Sequence, residues 1–233
     1  MAGDNIKVEN SGWRFNGDMV ENFEKHISKS VPLYKEGHEL IIKISDYFVK
    51  NDSICYEIGS SAGTLLSKIS EHHKSKKSNF IGIEIEQDMV DKSNELYRAS
   101  NLKFVCNDIN ILELKKTDLL ISYYTMQFIH PKFRQELVNK IYNSLNWGGA
   151  FMFFEKVRAS DARFQDIMTG IYMDYKLEQG YSPDDIVAKS RSIKGILEPF
   201  STQGNIDMMA RAGFTDVLSI MKYGPFEGFL AIK

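Results

Sequence analysis

The sequence contains little cysteine and no hydrophobic run long enough to cross a membrane. Cys55 and Cys106 are the two cysteines among 233 residues, and both fall in apolar segments, which favours buried thiols in a reducing cytoplasm over a disulfide or a metal site. No run of 18 apolar residues occurs, so no transmembrane helix is expected. The first residues lack the basic and apolar regions of a signal peptide, and we therefore expect a cytoplasmic protein.

The chain also lacks the excess of positive charge that favours nucleic-acid binding. Its formal net charge is −2 at pH 7, so direct contact with the phosphates of a nucleic acid is not expected. A basic run, HHKSKK at residues 72–77, follows the first core helix and is interpreted as a solvated helix end. The five histidines form no metal-ligand spacing with the cysteines, and no metal is predicted.

A glycine-containing loop, EIGSSAG at residues 57–63, is the most informative motif. It lies between an apolar strand pattern and a helical pattern that begins at Thr64, and glycines in such a turn let backbone N–H groups approach a ligand. The Gly-x-Gly-x-x-Gly motif of dinucleotide sites and the Gly-Lys-Ser/Thr of P-loops are missing, so neither a pyrophosphate nor a triphosphate is expected. An acid followed by Gly-x-x-x-Gly instead resembles the first motif of Rossmann-like S-adenosylmethionine (SAM) methyltransferases.

Acidic residues end three successive strand patterns. Glu57 ends the strand before the glycine loop, and Asp108 ends the third strand. Glu84 ends the second, roughly 20–25 residues beyond the loop, where doubly wound nucleotide folds place a carboxylate on the ribose hydroxyls. A lone acid at a strand end is usually solvated, but ligands of open α/β sheets bind at the carboxyl ends of the strands. The three acids together therefore predict an adenosyl-binding site.

The alternation of strand and helix patterns predicts one α/β domain with a seven-stranded, mostly parallel, doubly wound sheet whose last strand is antiparallel. A polar arm and two helices occupy residues 1–50, the strand–helix core 51–157, and a C-terminal helix and strands 201–233. The fifth strand is predicted over 151–155, after a turn at 145–150. Residues 158–200 are too long for a simple connection and have helical spacing, with a second helix starting at Pro183, so an α-helical cap is expected there.

Further motifs resemble one particular family, the carboxy-S-adenosylmethionine synthases. They are SVPxY at 30–34, TMQF at 125–128, RQxL at 134–137, LNxGGA at 145–150, EK at 155–156, DYK at 174–176, GYS at 180–182 and RS at 191–192. The resemblance covers residues from about 18 to 233. It implies an enzyme that takes SAM and prephenate and makes carboxy-SAM, phenylpyruvate and water. A partner enzyme then uses the product to carboxymethylate the wobble uridine of transfer RNA.

The resemblance also implies the residues of the site. Tyr34 and Arg191 go to the added carboxylate and are the predicted catalytic residues. A guanidinium near a sulfonium requires an anion between the two cations, which a carboxylate on the transferred carbon or a dianionic substrate supplies. From spacing alone, a surface position for Arg191 and a core position for Tyr34 remain open. The predicted binding residues are Tyr34 and Arg191 at the added carboxylate, Gly59, Ser60 and Ser61 beside the methionine part, Glu84 and Ile85 at the ribose, Asp108 and Ile109 at adenine, and also Glu57, Gly63 and Tyr123.

Departures from the family pattern keep a second function open. Ser60 stands where the family usually has cysteine, Glu84 where it has aspartate, and Tyr123 where it has asparagine. A phenol in place of a small amide changes the volume and polarity of the pocket, which allows a different carboxyl donor or plain methyl transfer to a small polar molecule. Tyr123 or His130 would then handle the acceptor's proton. A third interpretation is a SAM-binding regulatory subunit.

The expected partners are a small acidic substrate and a second copy of the chain. A homodimer is implied by the resemblance, and the apolar cap would expose a large patch in a monomer. No membrane partner is expected.

Overall fold

The computed structural model describes residues 18–233, and the predicted polar arm lies outside the described residues. These residues form eight α-helices and seven strands. The helices are α1 (Asp18–Ser30), α2 (Tyr34–Ser45), α3 (Thr64–His72), α4 (Gln87–Leu96), α5 (Pro131–Ser144), α6 (Ala162–Glu178), α7 (Pro183–Ser192) and α8 (Thr202–Ala212). The strands are β1 (Ile54–Ile58), β2 (Asn79–Glu84), β3 (Leu102–Cys106), β4 (Thr117–Tyr123), β5 (Leu145–Lys156), β6 (Asp216–Tyr223) and β7 (Phe226–Ile232).

The strands form one sheet in the order β3-β2-β1-β4-β5-β7-β6. Strands β1 to β5 pair in parallel, whereas β7 is antiparallel to both β5 and β6. The predicted fold class, including the antiparallel last strand, is confirmed. Strand β1 lies between β2 and β4, so β2 and β3 extend the sheet to one side of β1 and β4 and β5 extend it to the other. Open α/β sheets bind ligands at the carboxyl ends of the strands where the strand order reverses in this way.

The central strands are apolar on both faces because helices cover the sheet on both sides. Along β5 successive side chains alternate between the faces, so that Phe151 and Phe153 join one buried cluster while Met152 and Phe154 join the other. Each of these four side chains is fully buried. The two clusters hold the sheet rigidly and fix the position of its carboxyl edge.

Two sequence-based expectations about strands are wrong. The fifth strand begins at Leu145, because the expected turn pairs with the C-terminus: Gly148 donates to the Lys233 carbonyl (2.8 Å) and Lys233 donates to the Gly149 carbonyl (3.0 Å). Cys106 is exposed, whereas Cys55 is buried as expected. The difference follows from position, since β3 is an edge strand and β1 is central.

The segment predicted as a cap contains α6 and α7. Asp161 caps α6 by accepting from the Phe164 N–H (3.1 Å). At the start of α7, Ser182 and Asp185 form a reciprocal capping box with Pro183 in the first turn, which explains why the chain re-enters a helix there. Within residues 18–233, no helix is both long enough and apolar enough to cross a bilayer.

Candidate ligand-binding site

A cavity of about 480 Å³ lies at the carboxyl ends of β1, β2 and β4, and residues of α1, α6 and α7 line its other side. Its size is within the range of small-molecule sites, roughly 300–1,000 Å³. Ten of the twelve predicted ligand residues line it, and Gly63 and Arg191 do not. The ten are Tyr34, Glu57, Gly59, Ser60, Ser61, Glu84, Ile85, Asp108, Ile109 and Tyr123.

The two glycines of the glycine loop have positive φ angles, which residues other than glycine rarely adopt. Gly59 has φ +68°, and a Cβ placed there would overlap the side chain of Thr125. The Gly59 N–H donates to the Ile83 carbonyl at the end of β2 (2.7 Å), which anchors the loop to the sheet. Gly63, also at positive φ, caps α3, and a Cβ there would lie 2.6 Å from the ring of Phe104. Gly63 therefore permits close packing of α3 against Phe104 of β3, and it does not line the cavity.

Glu84 ties the loop to β2 as well as lining the cavity. Its Oε2 accepts from the Ser61 N–H (2.9 Å), and its Oε1 accepts from the N–H groups of Ile85 (2.8 Å) and Glu86 (3.2 Å). Burial raises its pKa, and the three backbone donors oppose that rise. A carboxylate has about four lone-pair sites, so Glu84 retains capacity for one further donor, such as a ribose hydroxyl.

Glu57 and Ser60 carry buried polar atoms for which the described residues supply no partner. Glu57 Oε2 and Ser60 Oγ are fully enclosed, make no hydrogen bond there and belong to residues lining the cavity. Burial raises the pKa of Glu57 well above its ordinary value. A buried carboxylate without a counterion is costly, and a ligand cation would stabilise it. An acceptor and a donor beside the glycine loop fit the ammonium and carboxylate of an amino acid, such as the methionine part of SAM.

Tyr34 and Tyr123 form an aromatic wall. Their ring centroids are 5.1 Å apart, and the Tyr123 hydroxyl donates to the Tyr34 carbonyl (2.6 Å). Gly37 leaves room for this hydroxyl, since a Cβ there would overlap it. Burial raises the pKa of Tyr123 strongly. The Tyr123 phenol, which stands where the family usually has asparagine, is therefore hydrogen-bonded within the protein. It is poorly suited to remove a proton from a methyl acceptor.

Asp108 also lines the cavity, together with two isoleucines. Its Oδ1 accepts from the N–H (2.8 Å) and the side-chain amide (2.9 Å) of Asn110, which orients the carboxylate. Ile85 and Ile109 also line the cavity and add apolar surface. A carboxylate acceptor beside apolar side chains suits a flat base with an amino group, such as adenine.

Arg191 does not take the predicted position. It is exposed and outside the cavity, whereas Lys189 and Ser190 line the cavity. Residues two apart on a helix are about 200° apart around its axis, so Arg191 and Lys189 lie on nearly opposite sides of α7. Within the described residues of one chain, Arg191 therefore does not line the cavity in which the ligand carboxylate was expected.

Three lysines that the sequence pattern did not single out as ligands line the cavity: Lys156, Lys176 and Lys189. Lys156 lies in the EK motif and Lys176 in the DYK motif. These two motifs were the sequence signal from which both lysines could have been predicted. His130 also lines the cavity, and its Nδ1 accepts from the Lys132 N–H (3.3 Å) as the cap of α5. His130 therefore has a structural role as a helix cap in addition to its position at the cavity.

The basic run at the end of α3 is not wholly solvated. His73 is buried, with Nε2 2.7 Å from the Ser45 hydroxyl, and burial lowers its pKa to about 4. His72 Nε2 is 2.9 Å from Asp46 Oδ1, and the ligand atoms of Asp46, His72 and His73 lie within 4.8 Å of one another. This cluster, unpredicted from the sequence, ties α3 to the end of α2 at the opposite end of α3 from the glycine loop.

Comparison with known proteins agrees with this geometry. A family model described as a methyltransferase domain matches residues 56–149. Among solved structures, a putative O-methyltransferase from Nostoc punctiforme superposes with a TM-score of 0.65 at 16% identity, over 92% of this chain and 60% of that one. Human N-acetylserotonin methyltransferase in complex with SAM superposes with a TM-score of 0.59 at 14% identity, over 92% and 54%. These similarities show the fold.

Curated relatives are more similar in sequence. The carboxy-S-adenosyl-L-methionine synthase of Staphylococcus epidermidis is 35% identical over 222 residues, which are 95% of this chain and 97% of the relative. The protein of the same name from Sulfurimonas denitrificans is 34% identical over 227 residues, covering 95% and 94%. The synthase of Nautilia profundicola is 32% identical over 223 residues, with the same coverage. The chain therefore belongs to the carboxy-S-adenosyl-L-methionine synthase family.

Proposed function

We propose that this protein converts SAM into carboxy-SAM, with prephenate or a related small acid as the carboxyl donor. The observation that supports it most directly is the pair of unpartnered buried atoms, Glu57 Oε2 and Ser60 Oγ, beside the glycine loop of a chain with these relatives. They match the two charged groups of an amino acid, and a doubly wound sheet presents them at its ligand-binding edge.

In this proposal each residue binds a different part of SAM. Glu57 pairs with the ligand's ammonium, and the Ser60 hydroxyl donates to its carboxylate. Glu84 accepts from the ribose, and Asp108 accepts from the adenine amino group. The faces of Tyr34 and Tyr123 lie toward the sulfonium, which aromatic rings attract. The cap excludes water, which strengthens each of these electrostatic contacts.

The proposed reaction balances without a further reactant. The methyl carbon loses one proton and forms a bond to the donor's carboxyl carbon, while the donor's bond to that carboxyl breaks. The donor's hydroxyl leaves with the proton as water, so phenylpyruvate remains when the donor is prephenate. We propose that the carboxy-SAM is consumed in the cytoplasm by a partner enzyme that modifies the wobble uridine of transfer RNA.

Mass spectrometry of the reaction mixture tests this function. We expect carboxy-SAM and phenylpyruvate to accumulate together in equal amounts when the protein is incubated with SAM and prephenate. Label carried on the methyl carbon of SAM should appear in the carboxy-SAM, because that carbon is retained. Methylation of an added small molecule with release of S-adenosylhomocysteine, and no carboxy-SAM, would establish methyl transfer instead. SAM binding without turnover would favour a regulatory subunit.

We further propose a homodimer formed through the outer face of α6. Phe164, Ile167 and Ile171 have the spacing of one helix face and are each about half exposed (52%, 46% and 45%). Exposed apolar side chains in a contiguous row indicate a contact surface. We expect light scattering to give a dimer mass for the wild type and a monomer mass for Ile167→Glu. Ile111→Glu, at an isoleucine 78% exposed outside the cap, is the matched control and should remain dimeric.

A further inference from the structure

Asp46, His72 and His73 bring three metal-ligand groups together at the end of α3 that lies farthest from the glycine loop. The ligand atoms of the three residues all lie within 4.8 Å of one another. Asp46 Oδ1 is 2.9 Å from His72 Nε2 and 3.9 Å from His73 Nδ1. None of the three residues lines the ligand cavity. The cluster therefore belongs to a part of the molecule that the proposed function does not use.

The two histidines are adjacent in the sequence, and both rings reach Asp46. Consecutive residues of a helix are about 100° apart around its axis, so adjacent helical side chains diverge. Helix α3 ends at His72, and His73 leaves the helical conformation with φ −99° and ψ 19°. The two ring centroids are 4.8 Å apart, with an interplanar angle of 81°. Asp46 directly follows α2, so the cluster joins the ends of two helices.

Hydrogen-bond partners assign the ring proton of His73 to Nε2. The Ser45 hydroxyl has one proton, and it donates to the Ile42 carbonyl (2.6 Å), which can only accept. The Ser45 oxygen, 2.7 Å from His73 Nε2, therefore accepts from that nitrogen. Burial lowers the pKa of His73 to about 4, so its ring is neutral at pH 7 and Nδ1 carries a lone pair. This lone pair faces the carboxylate oxygen of Asp46, and a cation between the two would stabilise both.

The surroundings of His73 are those of a metal ligand. Histidines that bind metals donate their second ring nitrogen to a fixed acceptor, which is the role of Ser45 here. The ring of His73 is also stacked on Phe80, with centroids 6.3 Å apart and an interplanar angle of 7°. The side chains of His72 and Asp46 are instead 39% and 53% exposed, so an ion can reach them from solvent. One ligand is thus held rigidly, and the other two can adjust to an ion.

The distances suit a tetrahedral ion after small side-chain rotations. Zinc bonds of 2.0–2.1 Å in tetrahedral geometry separate neighbouring ligand atoms by about 3.3 Å. The distances of 2.9 and 3.9 Å from Asp46 lie on either side of this value. His72 must present a lone pair at Nε2, which requires its proton to be carried on Nδ1. Because His72 is exposed, water can supply the hydrogen bond that this tautomer needs.

We infer that Asp46, His72 and His73 bind a zinc ion that links the end of α2 to the end of α3. Two imidazoles and one carboxylate are ligands typical of zinc, whereas magnesium and calcium require mainly oxygen ligands. The fourth coordination position would be open to solvent. No metal was predicted from the spacing of the histidines with the cysteines, because the third ligand is an aspartate from the end of another helix.

Titration of the untagged full chain with zinc, in competition with a chromophoric chelator, tests this site. We expect one zinc ion per chain, and His72→Ala and Asp46→Ala should each raise its Kd by about 100-fold or more, because the loss of a residue that only orients a ligand already costs roughly 10–100-fold. Both side chains are exposed, so these variants should fold. Glu71→Ala removes an exposed carboxylate of α3 beside His72 and is the matched control. It should bind zinc like the wild type.

Thermal unfolding gives a second readout. Zinc at about 100 times its Kd should raise the Tm of the wild type by about 5–10 °C and leave the Tm of His72→Ala unchanged. Cobalt bound in place of zinc should give the intense visible absorption of a tetrahedral site. Fewer than one zinc ion per chain, zinc binding that neither variant weakens, or the weak absorption of octahedral cobalt would each overturn the inference. The affinity for S-adenosylhomocysteine should be the same with and without zinc, since no ligand of the ion lines the cavity. A zinc-dependent affinity would contradict a site separate from the cavity.

Discussion

Glu84→Ala is expected to weaken the binding of S-adenosylhomocysteine by about 10- to 150-fold, or ~1.5–3 kcal/mol. Two losses contribute to this effect. The variant removes the acceptor for a ribose hydroxyl, and it also removes the acceptor for the Ser61 N–H, which holds the glycine loop in its binding conformation. A loop that must be ordered during binding reduces affinity further.

Isothermal titration of the folded variant with S-adenosylhomocysteine measures the change. Glu84→Gln keeps one acceptor oxygen and should bind with intermediate affinity, which separates the loss of charge from the loss of the side chain. Asp88→Ala removes an exposed carboxylate in the first turn of α4 and should bind like the wild type. Unaltered affinity in a folded Glu84→Ala protein would contradict both roles of this carboxylate.

The fold was predictable because its signals are local. Each central strand is a short apolar run, and the glycine loop marks the one sharp passage from β1 into α3. The start of β5 was not predictable in this way. Residues 148–149 contain two glycines, typical of a turn, and only pairing with the C-terminal Lys233 makes them part of the sheet. Such long-range pairing leaves no signal in the neighbouring residues.

The acidic residues that line the cavity were easier to predict from the sequence than the lysines that line it. Glu57 and Glu84 lie near the carboxyl ends of β1 and β2, and Asp108 lies just after β3. Because these strands pair in parallel, their carboxyl ends lie at one edge of the sheet, and the sequence order indicates that the three acids are close together. The orientation of a cap helix has no such constraint. Arg191 and Lys189 are both basic residues of α7, and only the packing of that helix decides that Lys189 lines the cavity. The contact of Tyr123 was equally difficult to predict, because its hydroxyl donates to the carbonyl of Tyr34, which is 89 positions away in the sequence.

Gly59→Ala is expected to abolish measurable binding of S-adenosylhomocysteine, a loss of more than about 100-fold, and to lower the free energy of unfolding by about 1–3 kcal/mol. A methyl group at this position meets two obstacles. The backbone has φ +68°, which side chains rarely adopt, and the added Cβ overlaps the side chain of Thr125. Relief requires the loop to move away from Thr125, which displaces the unpartnered Ser60 hydroxyl from the proposed methionine subsite.

A substitution at a second glycine distinguishes the effect of backbone strain from the effect of the steric overlap with Thr125. Gly148 also has positive φ (+75°), but a Cβ there meets no atom within 4 Å, and it lies near the start of β5, remote from the cavity. Gly148→Ala should therefore lower stability by a similar strain term while leaving ligand affinity unchanged. Thr125→Gly in the Gly59→Ala background removes the overlapping side chain and should restore part of the affinity. Chemical denaturation and titration calorimetry measure both quantities. If Gly59→Ala retained full affinity, the loop would not be the rigid binding element that its contacts with Ile83 and Thr125 indicate.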